Sequence, residues 1–442
     1  MSERTEFLEQ LLSVEDEAGL REYVERLHAS DLADLLEDLG QEQRLRLLSL
    51  MPAEAASEAL AEMEEVEHPG ELLSLLEPAR IRDLLGELAN DDAADLLGEL
   101  EPEEQARLLA SADDAGEIQE LLHYPEDTAG GIMTQELMAV SSRLTAGGAL
   151  DQIRRQATDL DDFFTIFVID PDRKLRGIVG LQTLVLADPD RPILELTEDP
   201  PAVVTVEMDQ EDVGRILSRY NLVSIGVVDP LSRLVGRVTF DDVIDVIEAE
   251  TTEDILRFAA VSEEEEVRGG VADAIRSRLP WLVLNLATVF VAASVVWFYE
   301  DAIAQMAVLA VAMPIIAGMG GNAGTQALAV TVRRIALSDE TLSERWGVVG
   351  KELVVGVLNG AVIGSIIAVV GLIAGEGLLF GLVVMAAMWA NLAVAGFAGS
   401  FIPIFLESMG VDPAVASSIF ITTLTDLCGF LLLLGLASYM LL

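Results

Sequence analysis

Residues 279–442 contain five apolar stretches, roughly 280–299, 303–330, 347–375, 378–406 and 413–441. Each is long enough to cross a hydrocarbon layer of about 30 Å, which takes roughly 20 residues of α-helix. A chain with that pattern has two solvents to satisfy, and its charges divide accordingly. Residues 1–278 carry 65 of the 75 Asp and Glu and 23 of the 27 Lys and Arg, whereas residues 279–442 carry 10 and 4. The sequence therefore predicts two bodies joined near Pro280, one acidic and water-soluble, the other helical and membrane-spanning.

Orientation follows from the few bases near the spans. Arg268, Arg276 and Arg278 precede the first span; Arg333, Arg334, Arg345 and Lys351 lie between the second and third; beyond Lys351 there is no Lys or Arg. Both groups fall on one side of a five-span path, and the positive-inside rule makes that side the cytoplasm. The expectation is a multi-pass plasma-membrane protein with cytoplasmic N-terminal domains and an extracytoplasmic C-terminus. The opening "MSERTEFLEQLLSVEDEAGL" is acidic and lacks the apolar core of a secretory signal, so the first span serves as the membrane address.

Several function classes find no support in the residues. The single cysteine, Cys428, lies within a span and allows no disulfide framework within a chain. The three histidines, His28, His68 and His123, show no pair at zinc spacing. There is no GxSxG elbow and no Walker loop. No enzyme and no nucleic-acid partner is expected.

Residues 1–128 have helical periodicity. "HASDLADLLEDLGQEQRLRLLSLMP" recurs in outline as "EPARIRDLLGELANDDAADLLGELEPEEQARLLA", with Leu pairs at three- and four-residue spacing, acidic outer faces and short Gly, Asn or Pro breaks. Such units stack into an all-α superhelical array. Most of the acids there are a solvated surface. "NDDAADLL" differs in placing Asp91 and Asp95 four apart on one face, where like charges repel unless a cation intervenes, and that pair is a candidate cation ledge.

From Gly131 the pattern changes to alternating strands and helices. "FTIFVIDPDRKLRGIVGLQTLV" and "VSIGVVDPLSRLVGRVTFDDVIDVI" share an apolar strand, an Asp-Pro turn, a second strand opened by Gly, and a helix. The two phrases resemble a tandem pair of CBS domains, assigned to 129–194 and 195–248. In such domains the position of "TFDD" often meets a nucleotide ribose, which makes Thr239 and Asp242 the candidate nucleotide residues, with ATP the candidate ligand. The first copy reads "LQTLVL" there and lacks the Asp, so nucleotide binding would rest on the second copy. A connecting helix is predicted at 249–278. Asp242, Asp245, Glu250, Glu253 and Asp254 recur at intervals that give an acidic edge leading toward the first span.

Two features of the membrane body call for more than lipid solubility. "FITTLTDLCGFLLLLGL" places Asp426 inside an apolar span, where a charge costs about 3 kcal/mol on insertion scales and marks a functional site by default. "MPIIAGMGGNAGTQALAV" carries Pro314, Gly318, Gly320, Gly321 and Gly324 in the second span. These residues predict either a loosened helix whose freed carbonyls become oxygen ligands, since irregular backbone at membrane depth is tolerated where it is buried or lines water, or close helix packing on glycine; the presence of Asp426 favours the first.

The acidic helical repeat, paired CBS domains, acidic connecting helix, "GGNAGTQ" and "TTLTD", in that order, resemble the MgtE family of magnesium channels over essentially the full length. The resemblance implies a homodimer in a lipid bilayer, Mg²⁺ as permeant and regulatory ion, Asp426 as the pore carboxylate, and Gly321, Asn322 and Gly324 along the path. One departure is "ASSI" before "FITTLTD": Ser418 and Ile419 stand where the family commonly has a small residue followed by Pro. Two carboxylates about a twofold axis suit a divalent cation, and Mg²⁺, which sheds water reluctantly, suits oxygen ligands met through its hydration shell. Cytosolic Mg²⁺ bridging Asp91, Asp95 and the connecting-helix acids would then favour a compact, closed state. The alternatives are an ion-coupled secondary carrier for divalent cations and a CBS-gated membrane receptor without transport.

Overall fold

The computed structural model describes residues 17–24, 26–63, 67–112, 114–156, 164–259, 261, 271–337, 342–410 and 417–442. It divides into two compact units, Met1–Glu250 and Thr251–Leu442.

Among the described residues, the first unit begins with nine short helices: α1 (Glu17–Val24), α2 (Ala29–Glu37), α3 (Gln41–Leu50), α4 (Ala53–Ala61), α5 (Pro69–Ser74), α6 (Pro78–Leu85), α7 (Asn90–Gly98), α8 (Pro102–Leu109) and α9 (Ala115–Leu121). Pro69, Pro78 and Pro102 each begin a helix, where the missing N–H costs nothing. The Arg80 guanidinium donates to the Leu48 and Met51 carbonyls at the C-terminal end of α3, at 2.6 and 2.7 Å, satisfying acceptors that the helix leaves open. Leu36, Leu47, Leu48, Leu60, Leu73, Leu84 and Leu97 are fully buried. Each contributes about 1.5–3 kcal/mol by leaving water.

Two α/β repeats follow. The first has β1 (Ala139–Ser141), α10 (Ala146–Gln156), β2 (Thr165–Ile169), β3 (Leu175–Gly180) and α11 (Leu181–Leu186); the second has β4 (Val204–Thr205), α12 (Gln210–Tyr220), β5 (Ser224–Val228), β6 (Leu234–Thr239) and α13 (Phe240–Phe258). Each makes a three-stranded sheet with a parallel then an antiparallel pair. The Asp-Pro turns are built alike. Asp170 Oδ1 accepts from the Asp172 and Lys174 amides and Asp229 Oδ1 from the Leu231 and Arg233 amides, all at 2.8–2.9 Å.

The cores do not follow the repeat. The first sheet has its own core around Val140, Ile166 and Val168, whereas the second shares one continuous core with the nine helices, including Leu97, Met133, Val213, Ile225 and Val243. The segment at 128–134, placed by sequence at the start of the first repeat, hydrogen-bonds to the second: Ala129 N to Met208 O at 2.6 Å and Thr134 N to Arg237 O at 2.9 Å. The first α/β repeat is thus interposed in the chain between two parts that pack together.

The second unit begins within α13 and contains α14 (Val271–Phe298), α15 (Glu300–Gln305), α16 (Val308–Leu337), α17 (Leu342–Ile373), α18 (Leu378–Ser408) and α19 (Ser417–Met440). Five of these helices are long and apolar enough to cross a membrane. α18 is the most enclosed, packing against α16, α17 and α19. Its contact with α17 rests on Gly356, Gly360 and Gly364, one per turn; a Cβ at these positions would stand 2.3, 2.8 and 2.8 Å from the carbonyl oxygens of Leu392, Trp389 and Met385. Small residues at four-residue spacing let apolar helices approach backbone to backbone, where lipid supplies no hydrophobic drive. Gly360→Val is therefore expected to cost about 1–3 kcal/mol through overpacking, read as a lower melting temperature of the full-length protein in detergent. An unchanged melt would mean that this contact contributes little.

Candidate cation sites

Asp426 sits ten residues into α19, half-buried. It opens on a cavity of about 540 Å³ lined by α14, α15 and α19, whose walls are apolar (Val289, Ala293, Val296, Trp297, Phe430) except for Asp426 and Glu300. The neighbouring hydroxyls are committed within the helix. Thr422 donates to Ser418 O at 2.9 Å, Thr423 to Ile419 O at 2.7 Å and Thr425 to Thr422 O at 3.0 Å, so they offer a cation only their remaining lone pairs. Ser418 and Ile419 supply those carbonyls as the first turns of an unbroken helix.

The glycine-rich segment corrects an expectation. α16 is continuous from Val308 to Leu337 with Pro314 inside it, so Gly321, Asn322 and Gly324 present no unwound carbonyls. The glycines instead admit α19 and α18. A Cβ at Gly324 would fall 2.4 Å from the Ile421 side chain, and one at Gly320 2.3 Å from Asn391 Nδ2. Gly321 meets Thr422, and Asn322 is exposed. None of Gly321, Asn322 and Gly324 lines the cavity at Asp426.

In the first unit a second set of acids converges where the helical array meets the second α/β repeat. Asp91 and Asp92 open α7, and Asp241 and Asp242 open α13. Asp91 takes a hydrogen bond from Thr134, yet its Oδ1 is buried with no partner among the described residues. Burial raises its pKa. Burial, then repulsion from Asp91, Asp242, Glu62 and Glu136, pushes Asp92 up to about 7. Burial also pushes Asp242 up to about 6, although Thr239 donates to it from both hydroxyl and amide, the latter at 3.2 Å. Asp245 is raised by burial and by Glu62. Carboxylates pushed together and partly desolvated favour a proton or a cation in their midst. Among the described residues no three His, Cys, Asp or Glu converge into a direct metal cage. The arrangement suits an ion such as Mg²⁺ that keeps most of its water and meets one or two carboxylates.

The sequence-predicted acids therefore separate. Asp91, Asp242 and Asp245 come together, joined by Asp92, Glu62 and Glu136. Asp95, the expected partner of Asp91, is exposed. Glu250 accepts from Gln210 Nε2 at 2.8 Å and Glu253 pairs with Arg257 one turn on. The side chain of Asp254 and the stretch at 262–270, where the acidic edge was expected to run on, lie outside the described residues. Thr239 and Asp242 bond each other at the N-terminus of α13, the geometry of a helix cap.

A pH dependence follows. Unfolded Asp titrates near pH 4; the native groups titrate near 7 and 6, so between those values the folded state holds protons that the unfolded chain releases. That contribution to stability is fully present below about pH 4 and is lost as pH rises to about 7. Without divalent ions the full-length protein should melt lower at pH 7.5 than at pH 5.5, and millimolar Mg²⁺ should narrow the difference. Asp92→Asn should flatten it; a pH trend unaltered in that variant would place the titration elsewhere.

Comparison with known proteins agrees with this architecture. The MgtE profile, described as a divalent cation transporter, matches residues 313–436; the MgtE intracellular N domain matches 27–127; a CBS domain matches 193–249. The chain is 34% identical to the magnesium transporter MgtE of Thermus thermophilus over 98% of both chains. It is 38% identical to that of Enterococcus faecalis over 74% of this chain and 72% of the relative, and 33% identical to that of Bacillus subtilis over 95% and 93%. A solved cytosolic domain of the Mg²⁺ channel MgtE in complex with ATP is 37% identical and covers 54% of this chain and 98% of its own, with a TM-score of 0.52. The soluble part of a magnesium transporter is 30% identical, covers 56% and 98%, and has a TM-score of 0.51. With relatives 33–34% identical over more than nine-tenths of both chains, and with the MgtE N domain, CBS and MgtE profiles matched in turn along the sequence, the chain belongs to the MgtE family.

Proposed function

We propose that this protein is a homodimeric Mg²⁺ channel for magnesium uptake, closed by Mg²⁺ on its cytosolic acids. The observation that carries the reading is Asp426, a carboxylate at membrane depth opening on a cavity otherwise lined by apolar side chains and Glu300. A twofold axis doubles it, and two carboxylates balance one divalent ion. A hydrated Mg²⁺ is met through its waters, and no His or Cys cluster among the described residues offers softer metals a better site. Gly318 and Asn322, both exposed on α16, are residues of the glycine segment available to a second protomer.

Gating rests on the acids that converge between the helical array and the second α/β repeat. In the absence of cations, Asp91, Asp92, Asp242 and Asp245 repel, and Asp91 Oδ1 lacks a donor. Mg²⁺ among them offsets the repulsion and favours the packed arrangement; if that arrangement is the closed one, high internal Mg²⁺ limits its own uptake. ATP at the second α/β repeat is a further proposed ligand, supported by the solved cytosolic domain in complex with ATP. At Thr239 and Asp242 a ribose would have to share or displace their mutual hydrogen bond.

The test is Mg²⁺ influx into proteoliposomes holding the full-length protein, with and without a membrane potential. Influx driven by an inside-negative potential alone supports the channel. Influx that needs a H⁺ or Na⁺ gradient indicates a coupled carrier, and its absence under every condition leaves a receptor.

A further inference from the structure

Asn391 lies at the middle of α18 and is fully buried in the apolar body. The other described buried polar side chains of this body are served within their own helices: Thr331 donates to Ala327 O, Ser400 to Gly396 O, Thr425 to Thr422 O, and Glu352 pairs with Lys351. Asn391 instead reaches across. Its Nδ2 donates to the Ile316 carbonyl of α16 at 3.0 Å, and its Oδ1 is buried with no partner among the described residues. A buried amide with an open acceptor is costly, and such groups at membrane depth call for a reason beyond packing.

The backbones around it show what the amide holds. A Cβ at Gly320 would stand 2.3 Å from Asn391 Nδ2 and 3.1 Å from Thr425 Cβ; one at Gly429 would stand 2.9 Å from the same nitrogen and 3.1 Å from Ile316 Cγ2. The carboxamide therefore fills the point where α16, α18 and α19 meet, with glycine on two sides because nothing larger fits. Thr425 and Gly429 flank Asp426 on α19, one residue before it and three after. On a helix turning about 100° per residue, the face held against Asn391 fixes the direction in which Asp426 points.

We propose that Asn391 is a positioning residue for ion binding at Asp426. Its bond to Ile316 and its fit against Gly320 and Gly429 set the rotation and depth of α19 against α16, and through them the place of the carboxylate. The proposal rests on the reading of Asp426 as the ion-binding group.

The test uses full-length protein in proteoliposomes and reads the half-saturating Mg²⁺ and the preference for Mg²⁺ over Ca²⁺ at matched protein amounts. Asn391→Leu keeps volume and removes the donor. It is expected to melt close to wild type, yet to raise half-saturating Mg²⁺ by roughly tenfold, the usual cost of losing a group that orients a metal ligand, and to lose preference for Mg²⁺. Asn391→Asp, in its protonated form, retains a donor toward Ile316 and should stay nearer wild type. Asn391→Ala stands in if the Leu variant does not fold. Wild-type affinity and selectivity in a folded Leu or Ala variant overturns the proposal, and so does failure of both to fold, which assigns the amide to assembly alone. Asp426→Ala, run alongside, separates the two readings: if it conducts as wild type, the ion-binding role of Asp426 fails instead.

Discussion

Asp426→Ala is expected to abolish Mg²⁺ influx while leaving the protein folded and its assembly unchanged. Among the described residues Asp426 forms no ion pair that truncation would strand, and it lines an open cavity rather than a packed core, so truncation removes charge without opening a void. Asp426→Asn keeps the shape and removes the charge, and should fail as fully if the site works by charge balance. Normal conduction through Asn would mean that geometry at this position is enough. Wild-type influx through the Ala variant would end the assignment of Asp426 to the pore.

Neutralising the half-buried cytosolic acids should act in the opposite direction on gating. Asp92→Asn with Asp242→Asn removes repulsion and removes ligands for a bridging ion, and these effects have opposite signs. Loss of repulsion favours the packed state; loss of bridging disfavours it. Bridging should dominate, because without a cation protonation already relieves part of the repulsion, with Asp92 near 7 and Asp242 near 6. The double variant should therefore stay open at internal Mg²⁺ that closes the wild type, with the half-closing concentration raised about fivefold or more, within the usual range of coupling between sites. Conduction through Asp426 should not change. Open probability against Mg²⁺ on the cytosolic face is the deciding record, and closure at the same or lower Mg²⁺ would show that these acids act by repulsion.

The comparison of Asp91 with Asp95 shows why such a site is only half legible in sequence. A four-residue spacing places two acids on one helical face, but it says nothing about what covers that face. The strap at 128–134 and the second α/β repeat cover Asp91 through Thr134 and Arg237 and bring Asp242 near Asp91 and Asp92, while Asp95 stays exposed. Glu62, Asp92 and Glu136 look like any solvated acids in sequence, and only long-range packing sets them apart. The glycines of α16 carry a similar ambiguity. Glycine and proline weaken an isolated helix, yet in an apolar bundle glycine also permits backbone contact, and the neighbours in space decide which effect governs. The Gly356, Gly360 and Gly364 spacing is a signal for helix contact that the sequence does contain.

What the sequence determined by itself was whatever depends on local period and solvent: five membrane-length helices, the short helices of the acidic array, the paired strand-turn-strand repeats, and an acid placed at membrane depth. Those properties follow from side-chain spacing along the chain and from where charge is tolerated. What only the tertiary structure decided was which polar groups meet. The convergence of Asp91 and Asp92 with Asp242, the cavity joining Asp426 to Glu300, and the Asn391 clamp between Gly320 and Gly429 depend on contacts among residues far apart in sequence. Such contacts are fixed by how buried faces pack, and no local pattern encodes their distances.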